Sequence, residues 1–219
     1  MNWTNLSVIC GYLSFIPIII GFIKFKKIDN RYKPFIYLLA IYSLFEITSL
    51  TLVRFNQIAI VTILMNFFVL FDFLFLYMLI SFWEGRELKW LQYIILAIGV
   101  AIWISDNFLI NSILRTNSIF RIAYSFIICI KSIDLINKQF MSTIRNLRRN
   151  PFFIIGLTFL MFYSYKIIFE TIYFINIFKN QNVSYNAFGI LIIINLISYL
   201  LYSIAILCME KKIKLSSIY

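Results

Sequence analysis

The sequence predicts an all-α fold: a polytopic transmembrane bundle of about seven helices, N-terminus outside and C-terminus cytoplasmic. Three observations lead there. The 219 residues are 62% hydrophobic and only 13% charged, whereas a soluble domain averages about half apolar and about a quarter charged. Apolar runs of about 20 residues, the length that crosses a bilayer core, recur along the chain with short polar breaks. About fourteen basic residues fall in the loops at one end of these runs and three or four at the other, which is the asymmetry of the positive-inside rule. No polar window is long enough for a separate soluble domain, so residues 1–219 read as one transmembrane domain.

The first run covers about 6–23. No basic residue precedes it and Lys24, Lys26 and Lys27 follow it, the reverse of a cleavable signal peptide. It is expected to stay in the membrane, kinked at Pro17. A basic loop from Lys24 to Lys33 leads to the second helix, about 34–53, which Pro34 opens without losing a helical hydrogen bond. The third covers about 58–82, and the connector from Glu84 to Lys89 leads to a short fourth, about 90–105. Residues 106–118 read as an outer loop. The fifth helix is about 119–137, followed by a basic stretch, Lys138 to Asn150. Pro151 opens the sixth, about 151–176, and the seventh covers about 187–209. Helices two and six both begin with Pro-Phe after a basic loop, which is either a repeat of the kind small transporters carry or a common way to start a helix.

Charged groups inside membrane helices are costly and face other helices or a water-filled cavity. Placed by helix rise, they form two groups. Glu46, Asn66, Lys166, Asn195 and Tyr199 lie at middle to outer depth, with Glu170 one turn beyond Lys166 on the same face. These are the candidate ligand or ion pocket. Asp72, Lys131 and Asp134 form a candidate charge cluster in the inner half. Either set can alternatively serve only to fix helix packing through ion pairs and hydrogen bonds.

Composition and motifs exclude much chemistry. There is no histidine, which removes Ser-His catalysis and the H-E-x-x-H metalloprotease site. Glycine is scarce, at six, and no phosphate-cradling loop occurs. Asp72 and Asp134 lack the glycine-rich context of an intramembrane aspartyl protease. Cys10, Cys129 and Cys208 all sit in apolar runs without C-x-x-C spacing, so neither a disulfide framework nor a zinc site is expected. No catalytic residue, metal or cofactor is assigned. The net charge of +11 follows from topology and calls for no nucleic acid; the expected contacts are the lipid bilayer and anionic lipids at the cytoplasmic face.

The basic loop after helix one, the mid-helix acids Glu46 and Asp72, and the Asn195-x-x-x-Tyr199 spacing in helix seven resemble small uncharacterised seven-helix inner-membrane proteins of bacteria. That resemblance implies a plasma-membrane location, the bacterial inner membrane, and a sensory or accessory role beside a separate signalling or membrane partner. It transfers no active-site residue. The expectation is a non-enzymatic sensory or accessory membrane protein with a polar pocket in its outer half. The alternatives are a small secondary transporter and a structural subunit of a membrane complex.

Overall fold

A computed structural model describes residues 3–85, 90–142, 147–175 and 181–210. They are helical almost throughout, with no β-sheet among them. Helices α1 (Trp3–Leu13) and α2 (Phe15–Lys24) are two halves of one bent segment. The break falls at Ser14, one turn before Pro17, because a proline has no N–H for the carbonyl four residues back and its ring crowds that carbonyl. The Ser14 hydroxyl donates to the Gly11 carbonyl (2.6 Å) and shares a hydrogen bond with the Ser43 hydroxyl (2.9 Å). The bend is thereby tied to the next helix. Where α2 ends, Lys24 donates to the Leu207 carbonyl (2.8 Å) at the end of the last helix, a favourable place for a cation.

A single 3-10 turn, Asn30–Tyr32, leads into α3 (Lys33–Arg54), with Pro34 in its first turn as expected. Asn56 takes a left-handed conformation (φ 57°) in the turn to α4 (Ile58–Trp83); asparagine tolerates that region better than most residues. Gly85 (φ 62°) closes α4 in the same region, the common helix terminator. The rest of the expected connector, residues 86–89, lies outside the described residues.

Helix α5 (Trp90–Ile104) runs on through a π-helical stretch, Ser105–Ile110. This corrects the expected loop 106–118, whose first five residues are helical. The cause is local: Asp106 and Asn107 are buried, and the Asp106 carboxylate accepts from the Asn111 side chain (2.7 Å) and from the Phe120 backbone N–H (2.8 Å). Its side chain thus satisfies an amide in the first turn of α6 (Ser118–Ser142). Helix α7 (Pro151–Phe174) starts from Asn150, whose side-chain oxygen accepts from the N–H groups of Phe152 (3.0 Å) and Phe153 (3.3 Å). Helix α8 (Gln181–Cys208) begins six residues before its expected start at 187.

The packing order differs from the chain order. The bent α1–α2 segment packs on α3, α3 on α4, α4 on α6, α6 on α7, α7 on α8, and α8 back on α1 and α2. This closes a ring of six segments, with α5 outside it against α4 and α6. Gly99 lets α5 approach closely: a Cβ there would lie 2.3 Å from Cε1 of Phe73. The half of the ring nearer the basic loops is filled with aromatic side chains. Phe35 meets Tyr202 (5.3 Å between ring centroids), Trp83 (5.9 Å) and Phe159 (6.2 Å).

Five stretches, Asn30–Arg54, Ile58–Trp83, Trp90–Ile110, Pro151–Phe174 and Asn186–Cys208, are long and apolar enough to cross a membrane. The outward faces agree with that. On α8 the exposed side chains Ile190, Ile193, Ile197, Leu200, Ile204 and Leu207 recur every three to four residues, an apolar stripe at helical spacing that points away from the bundle. A continuous apolar exterior is the surface a bilayer covers. The architecture is that of a helical bundle compatible with a multi-pass membrane protein.

Candidate functional site

The half of the ring away from the basic loops is not filled. Between the α3–α4 pair and the α7–α8 pair lies a cavity of about 320 Å³. That is the low end of small-molecule sites. Three charged side chains line it, Glu46 from α3, Asp72 from α4 and Lys166 from α7, together with Asn195 and Tyr199 from α8. Phe45, Phe68 and Phe162 supply apolar aromatic wall.

Asp72 is the most heavily bonded group in it. Tyr42 donates to its Oδ1, and Tyr163 (2.9 Å) and Tyr124 (3.3 Å) donate to its Oδ2. Three phenols from three helices thus converge on one carboxylate, and each such charge-assisted bond is stronger than a neutral one. Lys166 donates to the hydroxyl of that same Tyr124, and its ammonium lies 4.7 Å from the Tyr124 ring centroid, 5.5 Å from Tyr163 and 5.7 Å from Phe162. Tyr124 therefore links the two opposite charges, which attract one another across it. In a low-dielectric interior such a pair is held firmly only when its remaining polar atoms are also bonded, and the tyrosines do this.

Glu46 is placed differently. Its Oε2 accepts a long hydrogen bond from Tyr199 (3.4 Å), and its Oε1 rests over Gly11, where a Cβ would come within 3.0 Å. Among the described residues no base pairs with it. Nor does any described residue bond the Asn195 amide. Glycine at position 11 leaves the carboxylate its space, a close approach no other residue would allow without a shift.

Of the residues expected to form a pocket, the structure brings Glu46, Lys166, Asn195 and Tyr199 together. It takes Asn66 and Glu170 away. Asn66 is fully buried and donates to the carbonyls of Ile113 (3.0 Å) and Arg115 (2.8 Å), pinning the loop before α6. Glu170 pairs with Arg121 at 3.3 Å, both buried, and Arg121 is further held by Asn117 (3.0 Å). The expected inner cluster is divided. Asp72 belongs to the cavity, while Lys131 pairs with Glu84 at 2.8 Å near the basic end and lies 5.1 Å from the Tyr77 ring. Asp72 and Glu84 stand about 18 Å apart along α4 at the helical rise, too far to share one cluster. Asp134, half-buried, lies one turn beyond Lys131 on α6.

Sequence reasoning named Tyr199 but missed Tyr42, Tyr124 and Tyr163, which bond Asp72. A signal was present: Tyr42 precedes Glu46 by four residues, Tyr163 precedes Lys166 by three and Tyr202 follows Tyr199 by three, so each shares a helix face with a polar group of the cavity. Among the described residues no three cysteine, aspartate or glutamate side chains converge as metal ligands would. Cys10 and Cys129 are buried free thiols and Cys208 is a half-buried one. No family model, curated protein or solved structure matches the chain.

Proposed function

We propose that the protein is a non-enzymatic sensory or accessory protein of a plasma membrane, the bacterial inner membrane, with its N-terminus outside and its basic end in the cytoplasm. It holds a small ligand in the cavity between α3–α4 and α7–α8 and passes the occupancy of that cavity to a separate protein. The observation that carries this reading is the cavity itself: polar groups at membrane depth, with Glu46 lacking a base and held only by hydroxyls, in a half-open recess with aromatic walls. The aromatic packing of Phe35, Trp83, Phe159 and Tyr202 blocks the cavity from the basic end. A ligand then acts by changing how the two helix pairs sit against each other. The basic loops offer a surface to anionic lipid or to an acidic partner.

The test is a mild-detergent pull-down of tagged protein from its native membrane. A stoichiometric partner is expected, and its identity supplies the signalling output. A protein that emerges alone or only with copies of itself overturns the sensory reading. It would favour the second one, a small transporter, for which the observation is the Asp72–Tyr124–Lys166 linkage at mid-depth: intramembrane acid–base pairs of this kind mark ion and proton pathways. Uptake measured in Asp72→Asn and Lys166→Met proteoliposomes would then decide it.

A further inference from the structure

We infer that the ligand is a small organic monocation, an amine or quaternary ammonium compound, with Glu46 as its counter-charge. The inference rests on the reading of the cavity as a ligand site and concerns only what that site selects.

Three ionisable acids and bases line the cavity: Glu46, Asp72 and Lys166. Asp72 and Lys166 neutralise each other through Tyr124, and the carboxylate of Asp72 is already saturated with phenol donors. That leaves the Glu46 carboxyl, held by a long hydrogen bond from Tyr199 and with no base beside it among the described residues, facing a half-open recess at membrane depth. An uncompensated charge in such surroundings is costly; without a ligand the site avoids that cost as the neutral acid, and the occupant that lets Glu46 ionise carries a single positive charge.

The walls narrow the choice further. Phe45 and Phe68 are stacked at 3.9 Å on α3 and α4, and Tyr199 lines the same recess, whereas the rings of Phe162 and Tyr163 already hold Lys166. Ring faces attract cations, and aromatic-lined recesses with a carboxylate are how proteins hold alkylammonium groups. A small inorganic cation also finds oxygens there, from Glu46, Ser49, Asn195 and Ser198, but the aromatic wall adds attraction only for an ion that sheds its water readily, as an alkylammonium does. An anion or a zwitterion meets a lysine that is already occupied. The Asn195 amide remains to accept from or donate to a polar substituent on the amine.

The test uses purified full-length protein in detergent, titrated by calorimetry and by thermal unfolding. The probes are tetramethylammonium, choline and phenethylammonium, each against its uncharged carbon analogue, with sodium, simple carboxylates and neutral alcohols as further classes. Expected is binding of at least one organic cation, with its uncharged analogue at least about tenfold weaker. Expected also is a comparable loss in Glu46→Gln, with choline-type binding weakened in Phe68→Leu. The comparison of cation with analogue needs only the native protein, so it decides even where a variant does not fold. Equal binding of charged and uncharged analogues, or stabilisation by sodium alone, overturns the cation assignment while leaving a ligand cavity. Failure of every class to bind overturns the ligand reading beneath it.

Discussion

At the scale of single residues, the buried acids differ in whether a base accompanies them, and stability should follow that difference. Glu170 has Arg121, Glu84 has Lys131, and Asp72 has Lys166 through Tyr124. Removing one member of a buried pair leaves the other uncompensated, at about 3–5 kcal/mol. Arg121→Met is therefore expected to lower the unfolding midpoint sharply, and Arg121→Met with Glu170→Gln to recover most of the loss. Unfolding of the two single variants and the double one in detergent measures the coupling. Glu46→Gln should do the opposite of Lys166→Met. Glu46 loses no base when neutralised, so its variant is expected to match or exceed the native midpoint, whereas Lys166→Met strands Asp72. Equal destabilisation by both would mean that Glu46 also has a packing partner. Helix ends and the rise per residue put Glu46 and Lys166 at one level in the sequence, but set Asp72 with the inner cluster, whereas it stands in the cavity beside them. Rotation was not legible: Asn66 and Glu46 lie at similar depth, yet one faces a loop and the other a cavity, and only the packing order decides which.

Elements were read best where the chain carries backbone chemistry. Pro34 and Pro151 fixed two helix starts, because proline suits the first turn, and Asn150 supplies the cap that goes with the second. Asn150→Ala is expected to cost about 1 kcal/mol, with Gln139 losing the amide donor it receives from Asn150 at 2.9 Å. A matching drop in midpoint, without change in ligand binding, would place the effect at the helix start alone. The extension of α5 to Ile110 was illegible, since a polar Ser-Asp-Asn run reads as a loop until Asp106 is seen to bond Asn111 and the start of α6. The same holds for Gly99, whose meaning depends on Phe73 arriving from α4. Phe73 is fully buried between Phe120 (5.8 Å) and Tyr124 (6.4 Å), so it has little room to move. Gly99→Leu should therefore destabilise by about 1–3 kcal/mol or displace α5. A neutral effect would show that α5 adjusts freely at the edge of the bundle.

For the whole molecule, composition announces a membrane bundle but leaves the closed order of the ring unwritten. That order, with α3–α4 facing α7–α8, is what creates a cavity in one half and an aromatic plug in the other. Which side of the membrane the cavity serves depends on orientation, and the loop charges give a definite expectation. Lys27 belongs to the basic end and Leu114 to the opposite one, and both are exposed. In a protein with Cys10, Cys129 and Cys208 replaced by alanine, Leu114→Cys is expected to react with a membrane-impermeant thiol reagent on intact cells. Lys27→Cys should react only after the membrane is opened. The cavity residues Leu50 and Met65 lie toward the α3–α4 turn, on the same side as Leu114. The labelling pattern therefore also fixes the ligand's source. Labelling of Leu114→Cys from outside makes the cavity a receptor for an external compound, with the basic loops free to meet a cytoplasmic partner. The reversed pattern would put the cavity on the cytoplasmic side and the basic loops outside, against the positive-inside rule. The protein would then have to sample a compound from the cell interior, and no cytoplasmic partner could be reached through those loops.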